Sequence, residues 1–375
     1  MGAATCNFRW WDNNGVDQAA IDAGRLTFSS QQSSFPSSNA ANDFRSKVWS
    51  PAGNFEITTD NQKIYVEALT ATITAGYYIP ATLATEIQTQ LNIADSGWTV
   101  TYSTTTYKFT ISNSGSKTLT LSSTTDAIWD TIGYAGVTDR VGLSFPADEQ
   151  RNHTDEWVLL DYAVPFTLSC AGIISLIDEQ FPLSANATIK LQANNVDLWS
   201  SPPLDVSLSS DPRGVFSFID GDFSEAARTY RWVRIQIIDK RNPLGPEGLQ
   251  FSRIYIGDHS TTDTNVASGF GKPITDPSDV QRSESGVAYF DEKVKYQRIQ
   301  GAAYQVIAED DRVYLEQLYQ DYGKTRALFV SVDPQGKVST GLPEFTYYGH
   351  FESDPTPQNL FRDKWSFQFS FREAV

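Results

Sequence analysis

Apolar and polar positions alternate with a period of two through much of the chain. The clearest case lies between residues 228 and 258. Val233, Ile235 and Ile237 fall on one face of an extended run, and Trp232, Arg234 and Gln236 on the other. Such alternation predicts a half-buried strand. Asn242, Pro243, Gly245, Pro246 and Gly248 break it, and residues 251–257 alternate again until Gly257-Asp258. Further strands are predicted at 156–161, 166–175, 188–193 and 215–218. The loop 194–213 is long and Pro-rich, and carries Trp199.

Two stretches change period. After an extended run at 64–73 and a turn at Gly76-Tyr77-Tyr78, Pro80 opens a segment in which Leu83, Ile87 and Leu91 recur every four residues. Proline suits a first helical turn, and that spacing puts the apolar groups on one helix face. A hairpin at 98–103 and 107–112, a strand at 117–122 and a short helix at 126–133 ended by Gly133 complete this segment. Near the C-terminus a strand at 290–300 precedes a helix led by Glu309, Asp310 and Asp311, where negative charge favours the N-terminal end. Leu315, Leu318, Tyr319 and Tyr322 form its stripe and Gly323 ends it. Strands follow at 327–332, 345–350 and 365–371, the last with Phe367, Phe369 and Phe371 on one face.

The wording of 228–258, RTYRWVRIQIIDKRNPLGPEGLQFSRIYIGD, resembles the discoidin, or galactose-binding-like, jelly-roll domains of bacteriophage tail and virion proteins. A Ser-rich opening with Asn39, Arg45, Ser46, Trp49 and Gly53 is similar to the start of the same family, and HTDEWVLLD at 153–161 to a later strand. About a hundred residues separate the two, so the resemblance implies a domain inserted in a surface loop, which costs little loop entropy. The C-terminal segments (LYQDYG, YYGHF, FSFREA) resemble the β-α-β units of phage distal-tail and baseplate proteins. The expected class is therefore mainly β: a discoidin-like β-sandwich (jelly roll) interrupted by a small inserted α+β domain and followed by a C-terminal α+β domain. The expected division is an arm at 1–25, a split jelly roll at 26–56 and 152–260, an insertion at 57–151, a linker at 261–289 and a C-terminal unit at 290–375.

Composition narrows the function. With 375 residues and 40% hydrophobic content the chain can bury several cores. A formal charge of −16 with no basic block argues against nucleic acid as a partner. No apolar run reaches the ~20 residues of a membrane span, and the start lacks a cationic and apolar leader pattern, so no membrane insertion is expected. Two cysteines, Cys6 and Cys170, make neither a disulfide framework nor a zinc site, and fit synthesis in a reducing cytoplasm. His153, His259 and His350 lie in separate regions with no ligand-type neighbours at short spacing. No nucleophile elbow, phosphate loop or dinucleotide fingerprint is present. Neither catalysis nor a cofactor is expected.

Two function classes follow. The first, implied by the resemblance, is a structural subunit of a phage tail, tail tip or baseplate, made in the host bacterial cytoplasm and bound to copies of itself and other virion tail proteins. Trp10 and Trp11 would then be an assembly arm, because tandem exposed indoles favour interfaces. Docking of that arm on its own sandwich is the alternative. The second class is an adhesin for host-surface glycans. Trp199 would stack on a sugar while Asn194, Asn195 and Asp197 bind hydroxyls; burial of Trp199 is its alternative. Asp220 and Asp222 are weak calcium candidates.

Overall fold

The computed structural model describes residues 7–42, 48–51, 53, 55–151, 156–175, 183–184, 187–210, 214–219, 228–239, 242, 249–264, 266–267, 270–282, 288–333 and 346–374. The fold is mainly β, built from several antiparallel sheets. The strand Asn7–Asn14 ties it together. On one side it pairs antiparallel with Phe251–Thr261, setting Trp10 against Ser260. On the other it pairs with Leu328–Asp333, setting Phe8 against Val332 and Trp11 against Phe329. The N-terminal and C-terminal parts thereby share one eleven-stranded sheet.

This corrects the assembly arm. Trp10 and Trp11 are both fully buried within their own chain, because the hydrogen-bonding edges of two strands far apart in sequence are satisfied only by a strand between them. Trp10 joins the C-terminal core beside Phe8, while its indole N–H donates to Asp12 at 3.2 Å. Trp11 belongs to a cluster on one face of the shared sheet with Val215, Cys170, Ile174, Tyr255, Phe329 and Tyr348. Its ring centroid lies 5.2 Å from Tyr255 and 4.8 Å from Phe329. Gly172 makes room for it: a Cβ there would lie 2.4 Å from the Trp11 ring.

The other face of the same sheet, over Ser209–Ser210, Val215–Ile219, Cys170–Ser175 and Phe251–Thr261, packs on a five-stranded sheet. That second sheet is ordered Leu204–Ser207, Thr188–Asn194, Thr229–Ile238, Glu156–Thr167, Leu26–Phe28. Ala171, Ile173, Ile254 and Ile256 from one layer meet Val158, Leu160, Leu191, Val233, Ile235 and Ile237 from the other, making a β-sandwich core. Trp49 is buried in it and donates its indole N–H to the Ser30 carbonyl at 2.9 Å. The single strand expected at 166–175 is two. Glu156–Thr167 belongs to one sheet and Cys170–Ser175 to the other, so the chain crosses between layers at Leu168 and Ser169.

The segment after Gly53 has its own core. Helix Pro80–Ala94 lays Leu83, Ile87 and Leu91 on strands Lys63–Val66, Trp98–Ser103 and Lys108–Leu119. Phe55 and Ile57 pack here too, because Phe55–Ile57 pairs with Gly76–Tyr78, which sequence read as a turn. Residues 126–133 form turns rather than a helix. Asp126 has φ 52°, and Lys63 bonds across it, its N–H to the Asp126 carbonyl and its carbonyl to the Ile128 N–H. Tyr77 meets Trp157 of the sandwich edge-on at 5.9 Å.

In the C-terminal part, helix Glu309–Tyr322 covers strands Tyr296–Ala308, Thr346–Phe351 and Lys364–Glu373, with Leu315, Leu318, Phe367, Phe369 and Phe371 buried between. The linker expected at 261–289 is largely docked. Phe251–Thr261 runs to its first residue, Val266 is buried in the C-terminal core, and Ile274–Thr275 pairs with Tyr296–Ala308. Beyond that, Asp279–Arg282 and Ala288–Asp291 form a separate two-stranded hairpin. The polar, Gly- and Ser-rich composition concealed these short strands. No helix among the described residues is long and apolar enough to cross a membrane.

Candidate functional site

The five-stranded sheet turns one face to the core and the other outward, and the outward face is chemically distinctive. Register places Gln192 beside Arg234, Asn194 beside Trp232, and Trp232 beside Asp161. The alternation that buries Val233 and Ile235 dictates this, because side chains one residue along point to the opposite face. Arg234 is itself buried, and its Nε and Nη2 donate to Gln192 Oε1 at 2.9 and 2.6 Å. Arg231 makes a two-pronged bond to Asp161 at 2.8 and 2.9 Å and lies 5.1 Å from the Trp232 ring centroid. The Arg231 guanidinium, helped by the Ala163 N–H, holds the Asp161 carboxyl below the usual carboxylate range against the opposing effect of burial.

Trp199 lies over this face. Its ring sits 4.5 Å from the Arg234 guanidinium, a cation–π stack anchored from beneath by Gln192. The indole N–H donates to Asp197 at 2.7 Å. Trp199 is half-buried, between the core indole and the open platform weighed from sequence. The four sugar-site candidates do come together, but as the framework of a turn. Asn194 donates from Nδ2 to the Leu198 carbonyl at 2.8 Å and accepts the Asn195 N–H at 2.7 Å. Asn195 Oδ1 accepts the Arg231 N–H at 3.3 Å. These bonds shape the loop, as Asx turns do, and Asp197 gives one oxygen to Trp199, while Asn195 stays exposed. Sequence missed Arg234, Gln192 and Arg231, although the outward alternation of Trp232 and Arg234 was already the signal.

A second polar cluster lies where the chain crosses between sheets. The Ser169 hydroxyl donates to the Asp258 carboxylate and meets His259 Nδ1 at 2.7 Å. A carboxylate only accepts, so the hydroxyl proton points to Asp258 and the imidazole donates its Nδ1–H to the Ser169 oxygen. In a nucleophilic triad the imidazole stands between acid and serine and takes the serine proton. Here the serine stands between, and the cluster works as a part-buried structural bond set. Burial, with Arg9 nearby, pushes His259 down to about 3. Cys170, next to it, is a buried free thiol that burial pushes up.

Asp220, Asp222 and His153 lie outside the described residues. Among the described residues no group of three or more His, Cys, Asp or Glu is placed to hold a metal ion. Comparison of the chain with protein-family models and with curated proteins found no match.

Proposed function

We propose that this chain is a structural subunit of a bacteriophage tail, acting through assembly contacts at the tail tip, baseplate or distal tail. The observation that carries the reading is the shared sheet. One N-terminal strand, hydrogen-bonded on both sides, fuses the sandwich and the C-terminal part across one apolar cluster. Such a joint resists the relative motion that separate domains normally have, which suits a part that must hold its shape inside a particle. The discoidin-like wording of 26–53 and 153–258 and the distal-tail-like wording of the C-terminal segments point the same way. Expressed with its neighbouring genes, the chain is expected in particles purified on a density gradient, at a fixed ratio to other tail proteins by mass spectrometry. Its recovery only from the soluble fraction would count against this reading.

A second reading, attachment to host-surface glycans, is favoured by the half-buried Trp199 ring stacked on Arg234. A ring so braced presents flat apolar area to a sugar C–H face, beside the polar outward row of the sheet. A single site of this kind binds near millimolar, about −4 kcal/mol, and matters through many copies on one particle. On a glycan array, particles carrying Trp199→Ala should lose the signal of the parent, while the purified chain keeps its melting temperature within a few degrees. Equal binding by both, or by neither, removes this reading.

A further inference from the structure

We propose that the outward face of the five-stranded sheet binds an extended, uncharged oligosaccharide. The chain of sugars lies along strand Thr229–Ile238, from Trp232 past Trp199 to Trp157, and reaches Tyr77 of the inserted segment. The site rests on the glycan reading above and deepens it: the ligand is a neutral polymer rather than a single terminal sugar.

Register lays out the line of rings. Val233, Ile235 and Ile237 are buried in the sandwich core, so Trp232, Arg234 and Gln236 face outward in order along one strand. Trp232 marks one end, beside Asp161 and Asn194. Trp199 stands over Arg234, two residues further on. Trp157 is the cross-strand partner of Gln236, two residues beyond that, and Tyr77 meets its ring edge-on at 5.9 Å. Trp232, Trp199 and Trp157 are half-buried, and Tyr77 is 53% exposed. From Trp232 to the level of Trp157 the strand rises about 13 Å, longer than one sugar ring. Aromatic groups set at intervals along a strand suit a chain of rings that each offer an apolar C–H face. Arg234 and Gln236 interrupt them, so they form no continuous apolar centre of the kind a protein contact needs.

Charge selects an uncharged ligand. Arg231 bonds Asp161 at 2.8 and 2.9 Å, Lys190 meets Asp205 at 3.2 Å, and Arg234 donates to Gln192. With Asp197 bonded to the ring that covers Arg234, these cations and carboxylates balance, and the face draws an ionic polymer of neither sign. The formal charge of −16 on the whole chain further repels acidic polysaccharide. Hydroxyls find directional partners at the Trp199 end, where Asn195 and Asp197 are exposed. Asn195 Oδ1 accepts the Arg231 N–H, so its amide NH2 is there to donate. Asp197 gives one oxygen to Trp199 and offers the other as acceptor.

The test uses the full-length chain and four probe series, each from disaccharide to hexasaccharide: neutral oligomers of glucose, mannose and N-acetylglucosamine, and acidic oligogalacturonate. The hexasaccharide of at least one neutral series should bind about tenfold or more tighter than its disaccharide, because each added ring meets another aromatic group. Tyr77→Ala should remove that gain while leaving the disaccharide affinity and the melting temperature unchanged, since the ring is exposed and lies at the far end. Tyr77→Phe, which keeps the ring, should retain the gain. Oligogalacturonate should not bind. Equal affinity for both lengths, a gain that Tyr77→Ala leaves intact, or preference for oligogalacturonate overturns the extended neutral site and leaves the single-ring glycan reading standing. Binding of no series by the wild-type chain also overturns the proposal, and the particle array above decides separately whether the glycan reading falls with it.

Discussion

Trp11→Ala is expected to destabilise the folded chain by about 3–5 kcal/mol, the range for removing a large aromatic side chain from a core. Trp11 packs between Tyr255 and Phe329 in the cluster that also holds Cys170 and Tyr348, so truncation leaves a hole shared by the sandwich and the C-terminal part. Trp10→Ala should cost a similar amount and also remove one of the donors to Asp12, which accepts from the Trp10 indole, Ser260 and Tyr314. Trp11→Phe should cost much less. It keeps ring contact, and it removes an indole N–H that is buried with no partner among the described residues, a group that is itself expensive to leave unsatisfied. Denaturant midpoints of the purified chain, compared across the three variants, decide the matter. Equal stability in Trp11→Ala and wild type, with assembly lost instead, would return the tryptophans to the role of an arm reaching a neighbour.

The contrast between those tryptophans and the C-terminal phenylalanines shows what was legible in the sequence. Phe367, Phe369 and Phe371 declared their face because alternation is local, and Leu83, Ile87 and Leu91 declared a helix for the same reason. Local pattern, however, says only that a strand exists. That Arg9 faces Thr261 on one side and Ser331 on the other depends on pairings across most of the chain, and nothing in FRWWD encodes its neighbours. The sheet crossing at Leu168-Ser169 was hidden for a related reason, since both halves are apolar and extended and only their partners differ. At the candidate site the loop residues were legible and their bonds were not. Asn194 and Asn195 are common in turns as well as in ligand sites, and here both also bond within the turn or to Arg231. The hairpin at 279–291 was lost to composition: short strands amid Ser, Pro and Gly look like linker until their alternation, Val280 with Phe290 and Gln281 with Tyr289, is read as a pair.

Acid should weaken the fold before the carboxylates titrate, and His259 should be the cause. In the folded chain burial and Arg9 hold its pKa near 3, although Asp258 lies 4.0 Å away and Ser169 bonds its Nδ1. In the unfolded chain it returns to about 6.5. The unfolded state therefore takes up a proton that the folded state refuses. Stability is full above the unfolded value and is lost as pH falls from about 6.5 towards 3, with a limiting slope of about 1.4 kcal/mol per pH unit. Between pH 6.5 and 5 this amounts to about 1.5 kcal/mol. Carboxylates held low in the folded chain, such as Asp161, Asp148 and Asp354, add their own loss only at lower pH, so the upper window reports histidine. His350 is also lowered by burial beside Arg372, and His350→Gln separates its share. His259→Gln will itself cost stability, so the quantity to compare is the slope: urea midpoints measured from pH 7 to 5 should fall in the wild type and flatten in His259→Gln. Since both proteins shed the same negative charge on acidification, general charge repulsion cancels in that comparison. Parallel curves would mean that the imidazole takes its proton inside the fold, and that water or Asp258 offsets the burial around it.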